Sequence, residues 1–87
     1  MNTAFLLMAQ YNGLAIIPID TVRQDYFSHL TTELLLRKLA SREIDLPLVR
    51  IEASQKSAKG VHLQDLADYL DTRRSAAQKE FRQLRAV

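Results

Sequence analysis

Arg37, Lys38 and Ser41 carry the chemistry that stands out in this chain. At 100° per residue they lie opposite Leu35, Leu36 and Leu39, with Leu34 among them. Two cations, a hydroxyl and one apolar group on a helix face suit phosphate contact, hydrogen bonding to base edges and packing on a thymine methyl. A solvated helix face has the same residue types, so the surrounding elements must decide between the two. A second group lies in Ser54 to Gly60, where Lys56 and Lys59 stand on a small, polar stretch with no acid inside it. Such a loop can follow a phosphate backbone or enter a minor groove.

Other residue groups point to less. His29 and His62 fit no metal-ligand spacing and read as structural or solvent-facing. Asp65, Asp68 and Asp71 share one helical face and read as solvated, because a divalent cation needs more converging oxygens than one face supplies. No nucleophile and base arrangement, phosphate-binding glycine loop or dinucleotide fingerprint is present, so the sequence predicts neither an enzyme nor a cofactor. The absence of cysteine removes disulfides and thiolate chemistry and suits a reducing compartment.

The elements that position these groups follow from pattern. Asn12-Gly13 is the pair favoured in a type I′ turn, and apolar runs flank it, which predicts an N-terminal β-hairpin over 1–18 with strands Phe5 to Tyr11 and Leu14 to Ile17. Phe5 to Met8 fits the start of a short helix equally, since a continuous apolar run does not reveal its period. Asp20 is the expected N-cap of a helix to about Phe27, with Val22, Tyr26 and Phe27 inward. After a break of about three residues, Thr31 or Thr32 caps a second helix to about Arg42, giving a helix-turn-helix over 20–42. That context turns the reading of Arg37 and Lys38 toward DNA. Leu46 to Ile51 and Val61 to Leu63 read as short strands around the basic loop, a wing over 46–63. A long helix then occupies 64–85, with Leu66, Leu70, Ala77, Phe81 and Leu84 at helical spacing and a looser pattern around Arg73-Arg74-Ser75 that predicts a bend or fraying. Beyond Leu70, this helix either zips against a second copy, the favoured reading, or brings Arg73, Arg74, Lys79, Arg82 and Arg85 to DNA. The fold class expected is α+β: a winged helix-turn-helix in one domain over 1–87.

Length and charge bound the partners. With 87 residues, 47% of them apolar and 25% charged, the chain fills one small core whose stability a partner copy would help. The net charge of +2 hides its distribution. Residues 1–36 set Arg23 against Asp20, Asp25 and Glu33, a balance of −2. Residues 37–59 hold six cations against Glu43, Asp45 and Glu52, a balance of +3. Residues 60–72 hold three aspartates and no cation, −3, and residues 73–87 hold five cations against Glu80, +4. Two basic blocks separated by an acidic one suit local binding of a polyanion. The N-terminus shows no basic leader, and its apolar run stops at Gln10, which reads as soluble and intracellular without a membrane span.

The stretches MNTAFLLMAQYNG and AIIPIDTVRQDYF, with LPLVRIEASQKSAKGVHLQDLADYLDTRR from Leu46 to Arg74, closely resemble the pyocin activator family PrtN, and SQKSAKGVHLQDLADYLD is the most specific part. The resemblance implies a bacterial, cytoplasmic DNA-binding activator of bacteriocin genes, expressed within the DNA-damage response. More broadly, the order of elements looks like the winged domains of phage excisionases and AlpA-type regulators, whose second helix enters the major groove while the wing touches the minor groove or backbone. By position, this implies Thr31, Thr32, Arg37 and Lys38 as groove readers, supported by Ser41 and Arg42, with Arg50, Gln55, Lys56, Ser57 and Lys59 from the strand and wing. The wing tip lacks the aromatic or arginine-rich character of excisionase wings, which favours backbone contact. The expected partners are double-stranded DNA, a second copy or a cooperative array, and RNA polymerase, met through the aspartate face or the hairpin. An excisionase-like DNA-bending protein and a protein-interaction adaptor are the rival functions.

Overall fold

A computed structural model describes residues 2–85. The described residues fold as a small α+β protein of four helices and a three-stranded antiparallel sheet. In order these are α1 (Thr3–Gln10), β1 (Ile16–Pro18), α2 (Ile19–Tyr26), α3 (Thr32–Ala40), β2 (Val49–Arg50), β3 (Lys59–His62) and α4 (Leu63–Arg85).

The expected N-terminal hairpin does not form. The Asn2 side chain accepts a hydrogen bond from the Phe5 amide at 2.7 Å, the N-cap that starts α1. Leu7 is then buried on the face that α1 lays against α4. Asn12 and Gly13 do take positive φ, 53° and 76°, but as the stop of a helix: the Gly13 amide reaches back to the Met8 carbonyl at 2.8 Å. This six-to-one bond with a left-handed residue before it is a Schellman stop. Asn-Gly signals left-handed backbone, and helix ends use that backbone as readily as hairpins do.

β3 is the centre of the sheet, with the order β1-β3-β2. Ile17 pairs with Val61, and Gly60 stands between Pro18 on one side and Val49 on the other. A Cβ on Gly60 would come within 2.5 Å of the Ile17 carbonyl oxygen and 2.7 Å of Ile16 Cγ2, so the sheet closes only around glycine. The paired part of the first wing strand is shorter than expected, because Leu46 turns into the core and Pro47 has no amide for a ladder. The second starts earlier, at Lys59, and Leu63 opens α4 instead of ending the strand.

The core gathers residues from every element except β2, with Ile17, Val22, Leu35, Val61 and Leu66 fully buried at its centre. Among the described residues no polar or charged side chain is buried, so hydrophobic burial dominates the packing. α4 runs unbroken through Arg73-Arg74-Ser75, where bending or fraying was expected. Its second half leaves the body of the molecule, which spans 51 Å in its longest direction and 19 Å in its shortest.

Candidate nucleic-acid interface

α2 and α3 pack on each other across the five residues from Phe27 to Thr31, a longer break than the three expected. Asp20 is not the N-cap of α2; Pro18 holds that position without a side-chain bond. The Asp20 carboxylate instead accepts from the Thr32 hydroxyl at 3.1 Å and ties the two helix starts together. Thr31 is the N-cap of α3, its Oγ1 accepting from the Leu34 amide at 3.2 Å. Arg23 Nη1 donates to the Leu30 carbonyl at 3.3 Å, which fixes the turn.

With Leu35 and Leu39 buried, α3 presents Glu33, Leu34, Arg37, Ala40 and Ser41 to solvent. Arg37 lies mid-stripe, and its side chain makes no hydrogen bond or ion pair among the described residues. Lys38 sits at the flank, half-buried, with Nζ 3.4 Å from Glu43 Oε2. Ser41 is the C-cap of α3, and its hydroxyl donates to the Lys38 carbonyl at 3.2 Å. Arg42 follows in the left-handed region at φ 64°, its side chain exposed. Thr31, Thr32, Lys38 and Ser41 therefore have structural bonds that a nucleic acid would have to share, whereas Arg37 and Arg42 have none.

The wing is held by its own side chains. Ile51 donates its amide to the Ala58 carbonyl at 3.0 Å, closing the loop from Glu52 to Ser57. The Ser57 hydroxyl donates to the Glu52 carbonyl at 3.0 Å, and the Lys56 amide donates to Ser54 Oγ at 3.1 Å. Lys59 folds back, with Nζ donating to the carbonyls of Gln55 at 2.6 Å and Ser57 at 3.4 Å. Its charge stitches the loop. Gln55 and Lys56 are exposed at the tip, and Arg50, register partner of Lys59, is exposed at the base.

Two features of this surface escaped the sequence reading. Glu33 shares the outer stripe with Arg37, one turn earlier, a placement the 3.6-residue period contains. His62 caps α4: its Nδ1 accepts from the Gln64 amide at 3.0 Å, a role ordinarily filled by Ser, Thr, Asp or Asn. His29 is exposed beside Phe27. Two aspartates of α4 are engaged: Asp68 accepts from Gln64 Nε2 at 3.0 Å one turn earlier, and Asp71 accepts from the Thr3 hydroxyl of α1. Asp65 and Asp68 join Glu43 and Asp45 along a groove of about 370 Å³. Among the described residues no three such groups converge on a metal position. No described helix is long and apolar enough to cross a membrane.

A family model described as pyocin activator protein PrtN matches residues 3–77, from the first residue of α1 to the middle of α4. The chain belongs to the pyocin activator family PrtN. Neither the curated proteins nor the solved structures contain a significant match. The family is one of transcription activators of pyocin genes and is not a family of enzymes. The match encloses α3, the wing and the aspartate groove, and it stops before the last two turns of α4.

Proposed function

We propose that the chain is a sequence-specific DNA-binding activator of pyocin genes, built as a winged helix-turn-helix that acts in more than one copy. The observation that carries this is the outer stripe of α3, where an exposed, unpaired Arg37 stands between Leu34 and Ser41 on a helix anchored by Leu35 and Leu39. The order α2, α3, β2, wing, β3 and the sheet order β1-β3-β2 support it, because they set one helix and one basic loop on a shared scaffold. In this reading Arg37 reads a base edge from the major groove and Arg42 holds phosphate at the end of α3. Thr31, Thr32, Lys38 and Ser41 place the helix. Arg50, Gln55 and Lys56 lie on the backbone beside the groove, and Ser57 and Lys59 keep the wing in shape. The groove of Glu43, Asp45, Asp65 and Asp68 is the face offered to RNA polymerase.

Gel-shift titration against DNA from upstream of pyocin genes tests the assignment. Arg37→Ala lowers the preference for the specific site by about 1–3 kcal/mol. Lys56→Ala weakens specific and non-specific DNA alike and reduces the slope of log affinity against log salt by about one unit. Unchanged binding in both variants refutes this interface. A bending assay on the same fragments separates an activator from an excisionase-like architectural protein, which predicts strong bending and no promoter response.

A further inference from the structure

The stripe that packs α4 onto the domain continues past the point where the domain ends. Leu63, Ala67, Leu70, Arg74, Ala77, Phe81 and Leu84 follow one another at alternating intervals of four and three residues, a heptad seam. Leu63 and Ala67 are buried and Leu70 packs against the core, while Arg74 and Ala77 are exposed, Phe81 is 62% exposed and Leu84 is 78% exposed. A shallow groove of about 420 Å³ already runs along Arg74, Ala77 and Phe81.

We propose that this outer half of α4 is a homodimerisation element that pairs antiparallel with the same segment of a second copy. Charge selects the orientation. A parallel pair sets Arg74 against its own symmetry mate inside the seam, where two cations would be desolvated together. The antiparallel pair sets Arg74 over the second copy's Ala77, Phe81 over its Leu70, and Glu80 beside its Arg73. The two-fold axis repeats each contact, which gives two Glu80–Arg73 pairs. A groove of about 480 Å³ borders Leu70, with Phe27, Leu30, Ile44 and Tyr69 along its floor and the charged Lys38 and Glu43 among its walls, and its apolar part receives the incoming Phe81 ring. The paired segments cover roughly 20 Å of helix at 1.5 Å per residue, a small interface, so the dimer forms in the micromolar range in solution. The proposal deepens the multi-copy part of the proposed function, but its measurement needs no DNA, so the two readings fail separately.

Sedimentation equilibrium of the full chain is the test. Phe81→Glu weakens association by about tenfold or more while leaving the circular dichroism of the exposed site's helix unchanged. Arg73→Glu and Glu80→Arg each weaken it by roughly fivefold, and the double variant restores it to within about threefold of the parent. Because the chain has no cysteine, orientation is read by cross-linking with a short bismaleimide. Ala77→Cys cross-links, while Leu84→Cys does not, its symmetry mate lying roughly 25 Å away along the axis. A chain that stays monomeric to several hundred micromolar overturns the proposal, as does cross-linking through Leu84→Cys. Loss of DNA binding in Arg73→Glu without any change in association assigns the tip to DNA and overturns it equally.

Discussion

At the scale of single residues, Tyr11 joins packing to polarity. Its ring is buried where α1 ends, and its hydroxyl donates to Asp25 Oδ2 at 2.6 Å, linking α1 to α2. Burial and then the Asp25 hydrogen bond push the phenol well above the usual tyrosine range. The folded state thus holds this proton more tightly than the unfolded chain does. The stabilisation is whole below the ordinary pKa of about 10 and is lost as pH rises above it. The urea midpoint is expected to hold steady from pH 7 to about 9 and then fall, and to fall less steeply in Tyr11→Phe. Loss of the same slope in both proteins contradicts this assignment. Lys59 shows the opposite use of a polar group: an expected DNA contact, it binds the wing's own carbonyls. Periodicity and charge place a lysine on a loop, but they do not say whether its four-carbon stem points outward or curls back.

At the scale of elements, Gly60 sets how closely β1 and β2 can approach β3. Gly60→Ala should lower unfolding stability by about 1–3 kcal/mol, because the obstacle is the Ile17 backbone and not a movable side chain. Chemical denaturation reads this directly, and a neutral result would mean that the strands can separate at little cost. The same elements show what a sequence can express. α2, α3 and α4 are legible because their apolar stripes have one period, and α3 also because its start carries a recognisable signal in Thr31. α1 is not, because Phe5 to Met8 is apolar without interruption and only the Asn2 cap and the packing of Leu7 on α4 choose the helix. The partner of β1 is also hidden: Ile16 to Pro18 reads as a strand, but its pairing with β3 spans more than forty residues of chain. Within the candidate interface the outer stripe of α3 is legible from its period. The contacts that occupy Thr32, Lys38 and Lys59 are not: the first depends on where α2 comes to rest against α3, and the other two on how the chain turns within four or five residues of each lysine.

At the scale of the whole molecule, the chain divides along α4 into a packed body and a projecting arm. Among the described residues no apolar side chain beyond Leu70 packs against the core, so the arm contributes little to the body's stability. Hydrogen exchange on a dilute sample should therefore show slow amides in β3 and the first turns of α4 and fast amides from about Ala77 onward. Uniform protection along α4 at high dilution would contradict this division. The sheet adds a consequence for how such molecules meet. Both of its edges are blunt: β2 offers two residues beside Pro47, and β1 ends at Pro18, which has no amide to give. A stranger strand thus finds no template for growth on either side. Copies crowded together therefore meet through side chains on helices and not by adding strand to strand, a geometry that disfavours open-ended growth of the sheet.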